Sequence, residues 1–397
     1  MSASSSPAAR LSRLVPMRPR DPREAGRSAS PLELFFDLVF VIAVSVASVE
    51  LHHALTENHV LEGVVAYAAA FFAIWWAWMN FTWFATSFDV DDWLYRVLTF
   101  VQMGGVLTFA VGLHDFYDGD YALAILGYVV MRVAMVAQWT RAGHGSPELR
   151  STAYTYAGGV ATVQVLWLSL LVVPESVRPA LFVVLLLAEI SVPVVAERRG
   201  TTPWHPHHIT ERYGLFTLIL LGESLLGSSN AIIEALEGDA DLVPLIAIAN
   251  LALVVTCSLW WIYFWPPHHE AIGSFGQSLR YGYVHYFVFA AAGALSAGIE
   301  VEIDVLTDHS KLSAVAATFT VSVPIAIFVL GIWWIAIRDH ADRVVNVVVP
   351  SGALLVLLDP LIPVPVALTA LILVVVVAVL VRRGPVTRSG QQEHAQG

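Results

Sequence analysis

Five ionisable residues interrupt stretches of sequence that are otherwise almost free of charge: Glu33, Asp37, Arg132, Glu189 and Glu223. A charged side chain in hydrocarbon is costly, so it persists where it faces a partner or a hydrated cavity. Glu33 and Asp37 are four residues apart, a spacing that stacks two carboxylates along one face of a helix. Such a pair attracts a bound cation, a shared proton or a basic partner.

The depths of the other three residues can be compared along their helices. At a rise of 1.5 Å per residue, Glu223 lies roughly 16 Å from the cytoplasmic end of its segment. Arg132 and Glu189 reach a similar depth from the opposite side, so we expect the three side chains to meet near the midplane. An Arg–carboxylate pair would leave a second carboxylate free for a proton, a substrate amine or a metal cation. The alternative is an interhelical salt bridge that only fixes helix register.

Helices that cross a membrane must position these residues. The chain has 397 residues, 57% of them hydrophobic and 13% charged, which is more apolar side chain than one soluble core of this size can bury. Windows of about 20 apolar residues predict an all-α fold, a polytopic transmembrane helical bundle of about 12 helices. The approximate ranges are 32–54, 61–85, 97–113, 121–140, 153–173, 179–196, 213–234, 243–265, 281–299, 312–337, 344–358 and 361–381.

The basic residues predict the orientation of these helices. All except Arg132, Arg178 and Lys311 lie in the two tails or in alternate loops, so both termini are predicted to be cytoplasmic in a multi-pass membrane protein. The opposite loops, including 237–241 and 300–308, are acidic or neutral. The net charge of −11 therefore reflects those loops, and we expect membrane lipids and a small solute or ion as partners, with no nucleic acid.

Four segments follow from this pattern. Residues 1–30 are predicted to be a disordered basic cytoplasmic tail, 31–200 the first transmembrane half, 201–382 the second, and 383–397 a cytoplasmic tail. Similar Trp-Trp pairs in the second and eighth ranges suggest a 6+6 parallel repeat, although twelve apolar helices can also show such echoes by chance. Because prolines crowd the join near Asp359, 344–381 is either two spans or a re-entrant pair.

Catalytic and cofactor motifs are missing from the sequence. It contains no P-loop, dinucleotide turn, H-E-x-x-H or G-x-S-x-G, so we expect no cofactor, no metal site, no catalytic residues and no enzymatic activity. Cys257 stands alone, which rules out a disulfide within the chain. Several histidines are paired: His205, His207 and His208, and then His268 and His269, in predicted cytoplasmic loops, and His52 and His53 at the outer end of the first span. They lack carboxylate or cysteine partners at a zinc-site spacing, and we interpret them as solvated. His285, inside a span, could join a proton path.

Two motifs resemble the signatures of the bacterial low temperature requirement protein A family. They are the run from Pro31 to Val41, P-L-E-L-F-F-D-L-V-F-V, and the stretch from His208 to Ser224 that contains E-R-Y-G-L and L-L-G-E-S. The resemblance covers most of the chain and implies an integral membrane protein. It also implies that Glu33, Asp37, Arg212 and Glu223, with Arg132 in the fourth span, are the best site candidates; Glu189 rests on its depth alone.

Three classes of function fit these features. The first is a secondary transporter or channel-like carrier that uses intramembrane carboxylates. The second is a membrane-embedded enzyme or accessory factor in lipid or lipid-linked sugar metabolism, with Glu33, Asp37 and Arg212 near the headgroups. The third is a structural or regulatory membrane protein whose buried charges hold helices together.

Overall fold

The computed structural model describes residues 14–237, 241–362 and 366–385. Within these ranges the regular elements are helical, so the predicted all-α fold is confirmed. A five-residue helix, Leu113–Tyr117, follows the third long helix. The twelve long helices are α1 Pro31–Thr56, α2 Val60–Phe88, α3 Trp93–Val111, α4 Ala122–Gly145, α5 Arg150–Leu168, α6 Arg178–Glu197, α7 Pro206–Glu237, α8 Leu242–Phe264, α9 Phe275–Leu306, α10 Ala314–Ile332, α11 Arg343–Leu358 and α12 Ala367–Arg383.

Ten of the described helices are long and apolar enough to cross a membrane. The two that fall outside this set are α5 and α12. The protein is therefore a polytopic helical membrane protein, as predicted. Of the acidic 237–241 loop, residues 238–240 lie outside the described ranges.

Short-range capping explains where several helices begin. At α1, the Ser30 hydroxyl accepts from the Glu33 amide at 3.3 Å and the Glu33 carboxylate accepts from the Ser30 amide at 2.8 Å. This is a capping box, with Pro31 pre-organised at the first helical position. Side-chain caps also start four other helices, from Asp92, Ser274, Ser313 and Asp342.

Contacts divide the chain into two units. The first contains residues 1–46 and 73–211, and the second contains residues 47–72 and 212–397. The boundary near 211 lies close to the one predicted between the two halves at 200. Residues 47–72 comprise the end of α1 and the start of α2. Their assignment to the second unit was not predicted, because both helices were expected to lie entirely in the first half.

In the first unit, glycine allows α3 and α4 to approach closely. A Cβ on Gly127 would overlap the backbone of Phe109 and Gly105, and one on Gly105 would overlap Met131 and the Gly127 carbonyl. Small residues at such contacts permit the backbone approach that drives helix packing in lipid. Helices α4, α5 and α6 continue this packing in sequence order.

In the second unit, α11 and α12 form an antiparallel hairpin. Arg383, at the end of α12, donates to Asp342, just before α11, at 3.2 Å, and a short turn Asp359–Leu361 follows α11. The two helices have 16 and 17 residues, about 25 Å each at 1.5 Å per residue. A hairpin fits both the two-span and the re-entrant interpretation, and residues 363–365 of its tip lie outside the described ranges.

The predicted disorder of residues 1–30 is not met by residues 14–30, while 1–13 lie outside the described ranges. Met17 is fully buried, and its carbonyl accepts from the Ser146 hydroxyl at 2.7 Å. The Arg20 amide donates to the Ser87 carbonyl at 2.8 Å. Composition alone suggested disorder, but the backbone of Met17 and of Arg20 is hydrogen-bonded to residues at the ends of α4 and α2.

Candidate functional site

The Glu189 carboxylate accepts hydrogen bonds from five side chains of the first unit. Its Oε2 accepts from Trp76 Nε1 at 2.7 Å and from Arg132 Nη2 at 3.0 Å. Its Oε1 accepts from Tyr128 Oη at 3.1 Å, Gln164 Nε2 at 2.8 Å and Trp167 Nε1 at 3.2 Å. The Glu189 side chain is 0% exposed and that of Arg132 is 1% exposed, so the charges compensate one another without bulk water.

These donors come from three helices, and Glu189 itself lies on a fourth, α6. Tyr128 and Arg132 are four residues apart on α4, and Gln164 and Trp167 are three apart on α5, so each pair shares one face. Trp76 comes from α2. We refer to Glu189 and its five donors as the Glu189 network.

The Arg132 guanidinium has hydrogen-bonding capacity that Glu189 does not use. Within the described residues, its Nε and Nη1 atoms are buried and have no hydrogen-bond partner, as does Gln164 Oε1. The guanidinium carbon also lies 5.8 Å from the Tyr128 ring centroid, within cation–π range. The spare hydrogen-bonding capacity within this network therefore includes the guanidinium of Arg132.

A cavity with an accessible volume of about 300 Å³ opens between α5 and α6. Its walls include Val163 and Ala188, which directly precede Gln164 and Glu189 in the sequence. The remaining walls are small or β-branched residues, among them Gly158, Gly159 and Ser191.

Glu33 has a structural role and a second partner. Besides capping α1, its carboxylate lies 3.2 Å from His208 Nε2. Both side chains are buried. The interpretation of His208 as a solvated loop histidine is therefore wrong, because α7 begins at Pro206 and carries His208 inside a helix.

Asp37, one turn after Glu33 on α1, is also fully buried. Its Oδ1 accepts from Trp78 Nε1 at 2.6 Å. The structure thus places both members of the predicted carboxylate pair in the first unit, each with its own donor.

A cluster of charge lies beside Glu33 at the end of α2. Arg20 Nη1 is 3.4 Å from Asp89 Oδ2, and the Asp89 side chain is 8% exposed. Burial, together with the negative charge of Glu33, raises the pKa of Asp89 from 3.8 to about 6. Asp89 can therefore change its charge near neutral pH.

Arg212 and Glu223 belong to the second unit and lie on α7. Arg212 is fully buried, whereas Glu223 is partly exposed. Glu223 interacts electrostatically with Glu300 of α9. One turn after Glu223, a Cβ on Gly227 would overlap the Glu300 carboxylate. The predicted grouping of Glu223 with Arg132 and Glu189, and of Arg212 with Glu33 and Asp37, stays a prediction.

His52 connects α1 to the acidic face of α9 in the second unit. Its Nε2 lies 2.7 Å from Asp304 Oδ2 and its Nδ1 lies 3.5 Å from Glu300 Oε2. Thr56 also donates to Asp304, at 3.0 Å. The interpretation of His52 as solvated is wrong. The i, i+4 spacing of Glu300 and Asp304 signals a shared face, but nothing in the sequence predicts a histidine from α1 there.

Two histidines and two tyrosines form a closed network in the second unit. His285 Nδ1 faces the Tyr281 carbonyl at 2.8 Å and its Nε2 faces Tyr263 Oη at 3.1 Å. His268 Nε2 faces the Tyr263 carbonyl at 2.6 Å and its Nδ1 faces Tyr281 Oη at 3.0 Å. A carbonyl can only accept, so each ring donates one N–H to it, while its other nitrogen faces a tyrosine hydroxyl that is able to donate to a neutral ring.

Burial lowers the pKa of His268, which lies between α8 and α9, to about 4. His268 is therefore expected to be neutral at neutral pH, and its interpretation as a solvated loop histidine is wrong because the side chain is buried. His285 belongs to a chain of hydrogen-bonded side chains, which a proton path would need, but each member of the chain already has its partner within it. The participation of His285 in a proton path stays a prediction.

Metal sites were not expected. The described residues contain no group of three or more His, Cys, Asp or Glu side chains able to hold a metal ion.

A helical bundle with buried ion pairs and ten helices suited to lipid defines the class: an integral, polytopic membrane protein. Residues 28–382 match the family of bacterial low temperature requirement A proteins (LtrA), to which the chain belongs. It is also similar to an uncharacterized protein of Rhizobium meliloti (strain 1021), with 29% identity over 246 residues, 59% of this chain and 58% of that protein. The matched region thus spans little more than half of that relative.

Proposed function

We propose that the protein is a secondary transporter or channel-like carrier of a small solute, and that the Glu189 network is its binding site. The observation that carries this proposal is the unpartnered Nε and Nη1 of Arg132 within the described bundle. A buried guanidinium presents a planar fork of donors that matches carboxylates and similar acceptors. The favoured solute is therefore one with an acceptor group such as a carboxylate.

Three features support this assignment. Glu189 fixes the Arg132 side chain, so its free edge is pre-organised for a ligand. A cavity between α5 and α6 is lined by Val163 and Ala188, the sequence neighbours of Gln164 and Glu189. Ionisable residues inside a membrane bundle commonly mark solute or ion pathways.

The experiment is solute uptake into liposomes that contain the purified protein. A panel of small carboxylates and amino acids is tested with and without an imposed proton gradient. Arg132→Lys keeps the charge but loses the fork, and Glu223→Gln removes a predicted pathway carboxylate. We expect both variants to abolish uptake, while Glu62→Gln, at an exposed position of α2, behaves as wild type. Identical uptake by wild-type, Arg132→Lys and protein-free vesicles would refute the proposal.

A structural or regulatory role is the second candidate, and the saturation of Glu189 by five donors favours it. If the network only joins helices, Arg132→Lys should lower stability and leave every transport measurement unchanged. The liposome experiment therefore separates the two candidates. In either case the proposed location is the bacterial cell membrane, with both termini cytoplasmic.

A further inference from the structure

Two buried carboxylates of the second unit lack a basic partner among the described residues. Glu302, near the end of α9, is 4% exposed, and Asp359, immediately after α11, is 0% exposed. The two interact electrostatically. Neither belongs to the Glu189 network or to the predicted site.

Each carboxylate is only half satisfied. Asp359 Oδ2 accepts from the Thr369 amide at 3.1 Å and from the Thr369 hydroxyl, whereas its Oδ1 has no described partner. Glu302 interacts with the Thr318 hydroxyl, and its Oε1 likewise has no described partner.

A third oxygen belongs to the same region. Ser322 lies one turn after Thr318 on α10 and therefore on the same face. Its hydroxyl is fully buried and has no partner among the described residues. The region therefore has three unpartnered oxygens from three elements: one on each of the two carboxylates and one on Ser322. We call Glu302, Asp359 and Ser322 the oxygen cluster.

The surrounding helices offer little positive charge. Helices α8 and α10 contain no Asp, Glu, His, Lys or Arg. The arginines of α9, α11 and α12 lie at the far ends of their helices, where Arg383 pairs with Asp342 and Arg280 with Asp339, and His285 lies in the closed network with Tyr263 and Tyr281. From the start of α11 to Asp359 the distance is about 24 Å.

The nearest other charges are also engaged. Lys311, before α10, binds Glu57. On α9, Glu300 and Asp304 face His52.

Two carboxylates that share a low-dielectric site cannot both remain ionised without a compensating charge. One positive charge would resolve the conflict and also occupy the unpartnered oxygens. A divalent or transition metal normally recruits more carboxylate, imidazole or thiolate ligands than this cluster offers. We propose that Glu302, Asp359 and Ser322 bind one monovalent cation, a sodium ion or a proton. This site is independent of the proposed carrier activity, because cation binding can be measured without any transported solute.

The test is thermal unfolding of the purified full-length protein in detergent over a range of pH. It is done in sodium chloride and in choline chloride at equal ionic strength. A sodium site predicts that Tm rises with each tenfold increase in sodium above its Kd. A proton site predicts that Tm falls as pH rises, equally in both salts. In an Asp89→Asn background, which removes the pH response of Asp89, Glu302→Gln and Asp359→Asn should abolish either response, whereas the control Glu300→Gln, on the same helix, should retain it.

A wild-type Tm that responds to neither sodium nor pH would overturn the proposal, as would variants that retain the wild-type response. Should the variants fail to fold, carbodiimide labelling of the wild type followed by mass spectrometry provides the second measurement, since the reagent modifies protonated carboxyls. Labelling of Glu302 or Asp359 that sodium suppresses supports the sodium site. Labelling that only rising pH suppresses supports the proton site, and absence of labelling at both residues overturns the proposal.

Discussion

Replacing Glu189 should destabilise the protein more than replacing Arg132, although the two form one ion pair. In Arg132→Gln, the carboxylate keeps four neutral donors, from Trp76, Tyr128, Gln164 and Trp167. In Glu189→Gln, the guanidinium loses its counter-charge and five donors compete for one amide oxygen. The asymmetry follows because the carboxylate is the centre of the network and the guanidinium is at its edge.

The magnitudes follow from the number of groups left unpaired. Loss of the charge-assisted bond in Arg132→Gln should cost about 1.5–3 kcal/mol. Glu189→Gln leaves an uncompensated buried charge, which costs about 3–5 kcal/mol. It also orphans some of the neutral donors, at about 0.6 kcal/mol each by the average for membrane proteins. From the midpoints of these ranges, we expect Glu189→Gln to lower the free energy of unfolding by about 2 kcal/mol more than Arg132→Gln.

Reversible unfolding in mixed micelles, monitored by tryptophan fluorescence, measures both free energies. The exposed variant Glu62→Gln is the control and should stay within about 0.5 kcal/mol of wild type. A double variant, Arg132→Leu with Glu189→Leu, should cost less than the sum of the singles because no charge is left behind. Equal losses in the free energy of unfolding for Arg132→Gln and Glu189→Gln would contradict the expected asymmetry.

Three further outcomes can be measured in the same way. Asp89→Asn should raise the free energy of unfolding by up to about 3 kcal/mol above pH 7 and have little effect below pH 4. The reason is that the stability conferred by a protonated Asp89 is present below the ordinary pKa of 3.8 and is lost as pH rises through about 6. The exposed variant Asp91→Asn is the control. Gly127→Ala should cost about 1–3 kcal/mol through backbone overlap with α3, whereas Gly104→Ala, which meets nothing within 4 Å, should be neutral or stabilising. Ser30→Ala should cost about 1 kcal/mol through loss of the α1 cap, and exposed Ser28→Ala should not.

Local patterns in the sequence carry the fold well. Uninterrupted apolar windows predict twelve helices, and the structure has a long helix at each position. The start of α1 could also have been predicted, because Ser30, Pro31 and Glu33 spell a capping box. This capping box would also have weakened the hypothesis that Glu33 is a site residue, because capping already explains its carboxylate.

The partners of buried charges could not be predicted to the same extent. Depth counting placed Arg132 and Glu189 at a common level, and they do form a pair. It could not show that Trp76, Gln164 and Trp167 would donate to the Glu189 carboxylate. Packing decides which helices face one another, and a linear pattern does not encode that packing. Nor did it single out Asp359, since a residue beside prolines suggests a turn before it suggests a buried oxygen.

The two units compensate buried negative charge in different ways, and this difference should be visible in the pH dependence of stability. Glu189 is held by a guanidinium and four neutral donors. Glu302 and Asp359 have hydroxyls and an amide but no described basic partner, so we expect the stability of the protein to depend on protons or sodium at the oxygen cluster. Two variants should then give separable results: Asp89→Asn removes one pH-dependent step in stability, and Glu302→Gln removes another step or the response to sodium. If Glu302→Gln changed neither response once Asp89 was replaced, the oxygen cluster would hold no cation of its own.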